Sequence, residues 1–160
     1  MWQRLQTVFL ILVALSMLMM FFFPLWEKLP PDEIELHRVT AFYYEAISEQ
    51  QNIATRQYFP YVLIGVLAGI AVGVAIFEIT SFKNRLTQMK LGAFNSLIMA
   101  GSLGLTVYLT IQLDQQIYPT FEPTYGIGFY MPAAAMIFNI LANRFIRKDE
   151  KLVRSTDRIR

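Results

Sequence analysis

Four uncharged runs, each about as long as a bilayer is thick, constrain this chain more than any other feature. They are Thr7–Trp26, Tyr58–Phe77, Leu91–Leu113 and Thr124–Asn143, of 20, 20, 23 and 20 residues. An α-helix rises about 1.5 Å per residue, so roughly 20 residues cross a hydrocarbon core of about 30 Å. Inside lipid every backbone N–H and C=O must find a partner within the chain, which selects helices. Runs this long are poorly explained as buried helices of a soluble protein. Composition agrees: 16% of the residues are charged and the mean hydropathy is +0.40, where a soluble domain carries about 25% charged residues. The first run is too long for the apolar core of a secretory signal and no A-x-A pattern follows, so it is read as an uncleaved first helix. A length of 160 residues fits a single domain over 1–160.

Lys and Arg in the flanks set the direction. One side collects Arg4, Lys83, Arg85, Lys90 and the tail 144–160, with eleven basic residues against four acids; the other has three against eight. The basic side should be cytoplasmic, with both termini inside and the loops 27–57 and 114–123 outside. Trp2 falls at the inner boundary, and Trp26, Tyr58, Tyr61, Tyr118, Phe121 and Tyr125 gather at the outer one, where amphipathic rings prefer to sit. Pro60 falls in the first turn of the second run, and Pro24 and Pro132 near outer ends, where they would bend the helices.

The expected fold is an all-α membrane protein: four transmembrane helices, a small outer-loop cap and a cytoplasmic basic C-terminal helix. In the outer loop Val39, Phe42, Tyr43, Ala46 and Ile47 recur at helical spacing, and Asp32 follows two prolines as at a helix start. VTAFYY is also β-prone, so a helical cap is favoured with a short sheet left open. Arg144, Arg147, Lys148, Lys151, Arg154 and Arg158 would share one broad stripe of a continued helix, placed to contact anionic lipid or a partner. Glycines four apart at Gly65, Gly69 and Gly73 share a helix face and admit a close neighbour, with Ala100 and Gly104 a matching patch in the third run. Packing on another span of the same chain is the favoured use, so Gly69→Leu should loosen the bundle; a partner helix or a second copy is the alternative.

The ends of the chain are its most distinctive parts. The opening MWQRLQTVFL, the connector FKNRLTQMKLGAFN and above all the closing ANR-x-IRKDE-x-LVRS-x-DR-x-R together resemble a Bacteroidota family of small four-helix membrane proteins catalogued as a domain of unknown function. The resemblance covers the whole chain. It implies a four-span protein of the bacterial inner membrane, in agreement with the count of runs, and supplies no catalytic residues.

Chemistry is sparse. With no Cys and one His, disulfide scaffolds, thiol redox chemistry and Cys-ligated metals are excluded. His37 stands beside Glu35 and near Glu33 without metal-ligand spacing and reads as a solvated side chain; no metal or cofactor is expected. There is no phosphate loop and no nucleophile–base set, and the tail carries no nucleic-acid-binding motif. Glu78 and Asp114 read as interfacial, Glu78 within reach of Lys83 or Arg85. The chain is therefore read as a non-catalytic accessory or scaffold subunit whose partners are membrane lipids and a membrane protein or a second copy. Two other readings stand beside it: a transporter or channel component for a neutral or apolar solute, formed around Asn95 and Asn139, and a lipid-acting enzyme using Glu78 or the outer-loop acids.

Overall fold

The computed structural model describes residues 2–29, 35–48, 53–82, 84–117 and 122–157. Four helices carry most of it: α1 (Trp2–Met19), α2 (Val62–Thr80), α3 (Arg85–Gln116) and α4 (Ile127–Asp157). Each packs on two others, α1 on α4 and α2, α3 on α2 and α4, closing a ring in which sequence neighbours are spatial neighbours. Five short strands, β1 (Trp26–Lys28), β2 (Glu35–Val39), β3 (Tyr44–Ser48), β4 (Ile53–Gln57) and β5 (Thr124–Tyr125), form one antiparallel sheet of order β4-β3-β2-β1-β5. The fold is mostly helical but not all-α: the expected helical cap is a sheet. β5 comes from the α3–α4 connection, so both connections at this end of the bundle join one cap.

Three helices, Val62–Thr80, Arg85–Gln116 and Ile127–Val153, are long and apolar enough to cross a membrane. The first run is helical only to Met19. Beyond it Phe21, Phe22 and Phe23 bond back to Leu18 and Met19 in a tightened turn, and Pro24 then removes the next N–H donor. The chain leaves the bundle there and buries Trp26 in β1 under the cap. The other boundaries follow from equally local causes. Asn84 caps α3 by accepting a 3.2 Å bond from the Thr87 N–H. The β2–β3 turn closes on Thr40, whose Oγ1 donates to the Tyr43 carbonyl at 2.9 Å and accepts from the Tyr43 N–H at 3.2 Å. α4 runs unbroken through Pro132 to Asp157, 31 residues or about 46 Å, so its basic end continues well past a bilayer-sized stretch.

The bundle exposes large apolar side chains: Leu97 is 72% exposed and Ile140 62%, with Phe77, Phe94 and Ile137 also exposed. Its core is mainly apolar, with Leu10, Met17, Ile64 and Met99 fully buried, but the buried stripe of α3 mixes Gln88, Gly92, Asn95, Met99, Ser102, Thr106, Leu109, Thr110 and Leu113, and that of α2 combines Ile64, Val72 and small residues with Glu78. So much exposed apolar surface suits lipid rather than water.

Candidate functional site

At the cap end the charges are consumed by the sheet. One cross-strand row pairs Thr124 with Glu27, Glu27 with Arg38, Arg38 with Glu45 and Glu45 with Arg56. Alternating sign across neighbouring strands is the favourable arrangement. Arg38 Nε lies 2.6 Å from Glu27 Oε1, its Nη1 3.5 Å from Glu45, and Arg56 Nε 3.4 Å from Glu45. The opposite face turns Trp26, Lys28, His37 and Val39 toward buried surroundings. There Lys28 reaches Asp114 at the end of α3, at 2.5 Å, bolting cap to bundle. His37 Nδ1 lies 2.7 Å from the Tyr44 hydroxyl. Burial first, then Tyr61 and Glu35 nearby, push the Tyr44 phenol up to about 12. Gly65 completes the joint. Its N–H, one of the free donors at the start of α2, bonds to the Ala41 carbonyl at 2.7 Å, and a Cβ there would lie 2.6 Å from the Phe42 ring.

Within the bundle, polar side chains meet between helices. Asn139 Nδ2 donates to the Gly92 carbonyl at 2.7 Å and to Ser96 Oγ at 2.8 Å, while Gln88 Nε2 donates to the Glu78 carbonyl at 2.8 Å. Gly92 is what allows α4 so close: a Cβ there would overlap the Asn143 amide. Further out, Thr106 and Thr110 bond back to the carbonyls one turn earlier. Both amide atoms of Asn95, both carboxylate oxygens of Glu78 and Ser102 Oγ are buried without a partner among the described residues. Heptad spacing of Gln88, Asn95 and Ser102 keeps them on one line facing the interior.

At the tail end α3 and α4 part to leave a groove of about 620 Å³. Met89, Ala93 and Ser96 line one wall; Ile140, Asn143, Arg144, Arg147, Lys148 and Lys151 line the other. Spacing of three, one and three residues puts the four cations on one face of α4. Arg85 ties the two helices together beyond the groove, with Nη2 2.9 Å from Asp149 Oδ2 and Nη1 donating to the Asp149 carbonyl at 3.1 Å.

A chain with this capped bundle can be placed by the comparison of its sequence with known families. Residues 2–159 match the family described as Domain of unknown function (DUF4293). The chain belongs to that family. The DUF4293 match takes in every helix and strand described above. No curated protein matches the chain.

The DUF4293 residues singled out in the sequence fall in different places. Arg144, Arg147, Lys148 and Lys151 are brought together at the groove; the Arg154 side chain and Arg158 lie outside the described residues. Of the α2 glycines only Gly65 is buried, and it meets the β2–β3 turn rather than another helix. Gly69 is exposed, and a Cβ added there would meet the Phe21 ring at 4.0 Å; one added at the exposed Gly73 or Gly104 would meet nothing among the described residues, and Ala100 is exposed too. Glu78, near the end of α2, is buried within the chain; of its two expected partners, Arg85 is engaged with Asp149 and Lys83 lies outside the described residues. His37 is buried against Tyr44 rather than solvated. Among the described residues no group of three metal-ligating side chains is found. Gly92 and Gln88 went unremarked in the sequence, although both fall on the heptad line of Asn95 and Met99 that would have exposed them.

Proposed function

We propose that this DUF4293 chain is a non-catalytic accessory or scaffold subunit of the bacterial inner membrane. It crosses four times with its cationic tail end in the cytoplasm and its cap outside. The 18 helical residues of α1 cover about 27 Å, and the turn through Phe23 completes the fourth crossing. Its work is to hold another membrane helix, from a partner or a second copy, against the outward faces of α2 and α3. The observation that supports this is the outward placement of Gly69, Gly73, Ala100, Gly101 and Gly104, of which Gly73, Gly101 and Gly104 touch nothing. A helix-interior glycine costs about 1 kcal/mol relative to alanine, and no contact within the bundle offsets that here. On a lipid-facing surface such positions let a second backbone approach closely.

Co-purification in mild detergent tests the reading. The native chain is expected to bring down a stoichiometric membrane protein or to run as an oligomer. Gly73→Leu and Gly104→Leu should fold with an unchanged thermal midpoint yet run alone. A native chain that is a clean monomer without a partner contradicts it.

One observation favours a transporter as a second reading: Asn95 sits fully buried with its amide unbonded among the described residues, on a line from Gln88 to Ser102 about 21 Å long. Solute movement in vesicles that Asn95→Leu abolishes, with assembly intact, would select it.

A further inference from the structure

The α3–α4 groove has a polarity gradient along its length. Ile140 and Ala93 lie toward its deep end, within the bilayer-sized stretch of the two helices, beside Ser96, whose hydroxyl is already engaged by the Gly92 carbonyl and Asn139. Asn143 and Arg144 follow one turn on, and Arg147, Lys148 and Lys151 carry the charge beyond it. Ile140 to Lys151 spans eleven residues, about 16 Å of helix. Among the described residues no acidic side chain lines the groove; of the acids beside it Asp149 is held by Arg85, and Glu150, like Lys148, has contacts of its own. Outward-facing Ile140 and Ala93 continue the groove floor into the lipid-exposed surface. A soluble anion would satisfy the cations but not the apolar end, and an acyl chain would satisfy the apolar end but not the cations.

We infer that this groove is a binding site for one anionic phospholipid, its phosphate-bearing headgroup among Arg144, Arg147, Lys148 and Lys151 and the first part of a chain along Ala93 and Ile140. A groove of about 620 Å³ is within the range of small-molecule sites, and basic pockets between membrane helices on the cytoplasmic side suit such headgroups. The assignment to the inner leaflet rests on the orientation proposed above; the binding itself does not. The bound lipid would fix the angle between α3 and α4 beyond the Arg85–Asp149 pair, making the tail end rigid where the groove now separates the helices.

The test uses the full chain in mild detergent, titrated with phosphatidylglycerol, phosphatidylcholine or inorganic phosphate while retained lipid is read by native mass spectrometry and stability by thermal unfolding. Phosphatidylglycerol is expected to bind one per chain and to raise the midpoint; phosphatidylcholine and phosphate should do neither. The triple variant Arg147→Gln, Lys148→Gln, Lys151→Gln should bind it on the order of a hundredfold more weakly. All three side chains are exposed, so the variant should fold. Ala93→Trp fills the apolar floor while keeping every cation, and Ala93 is exposed. It should lose the one-to-one lipid. Unchanged binding in Ala93→Trp, or equal binding of the two lipids, overturns the site in favour of diffuse surface charge. Equal stabilisation by phosphate overturns the lipid in favour of a free anion. Because these readouts are taken without a membrane, a wrong orientation leaves them unchanged and would show only in sidedness experiments.

Discussion

The two ends of this bundle handle charge in opposite ways. At the cap end Glu27, Arg38, Glu45 and Arg56 alternate across neighbouring strands, and Lys28 closes on Asp114. Charge there is neutralised by the fold and holds the fold together. At the tail end Arg144, Arg147, Lys148 and Lys151 stand side by side along one groove wall that carries no acid. Like charges aligned on one helix face repel one another, so this wall lacks the alternation of sign that holds the cap together. The glycines divide the same way. Gly65 is pressed against the cap turn, whereas Gly73 and Gly104 face open space.

The comparison can be broken most forcefully where the two helices of the groove meet. Gly92→Leu would drive a side chain into the Asn143 amide and displace the Asn139 bond to the Gly92 carbonyl. A loss of about 3 kcal/mol or more is expected, read as a fallen thermal midpoint and a poor yield in detergent. Gly65→Ala comes next. Its Cβ would overlap the Phe42 ring and the Ala41 carbonyl, and a cost of about 1–3 kcal/mol should appear with faster amide hydrogen exchange in β2 and β3 while α3 and α4 stay protected.

Alkaline pH should loosen the cap alone. The Tyr44 phenol, raised to about 12 from the ordinary 10.0, favours the folded cap only while it is protonated. That contribution is therefore complete below about pH 10 and is lost as the pH climbs toward 12. Phenolate absorbance and cap exchange should rise together over that window, and Tyr44→Phe should reduce both. The smallest effect belongs to the end of the charge row. Arg56→Gln removes a well-exposed partner of Glu45 and should leave the thermal midpoint almost unchanged.

Much of the helical framework is legible in the sequence because it depends on length and charge alone. The second, third and fourth runs lie within α2, α3 and α4 except at their cap-side edges, and the continuation of α4 under the cationic tail follows from residue spacing. The cap resists such reading. Its strands are two to five residues long, too short for alternation to stand out, and Val39, Phe42, Tyr43, Ala46 and Ile47 imitate helical spacing by chance. β5 exists only because Tyr125 pairs with Trp26 nearly a hundred residues earlier, a partnership no local pattern announces. The glycine repeat misleads for a related reason. Spacing says that Gly65, Gly69 and Gly73 share a broad face, but only the three-dimensional placement of the β2–β3 turn determines which of them is covered. The groove is half legible: its cations form a visible stripe, whereas its apolar end needs α3 beside α4.

The central claim is a bundle that lies in a bilayer with its cationic end on the cytoplasmic side and its sheet on the other. The chain has no cysteine, so single substitutions give unambiguous labels. Leu5→Cys, Leu152→Cys and Leu29→Cys, at exposed positions, would be treated with a membrane-impermeant thiol reagent on intact cells and on inverted inner-membrane vesicles. Labelling of positions 5 and 152 only in inverted vesicles, and of 29 only in intact cells after outer-membrane permeabilisation, is the expected result. Positions 5 and 152 on opposite sides, or all three labelled together in protein recovered without detergent, would contradict it.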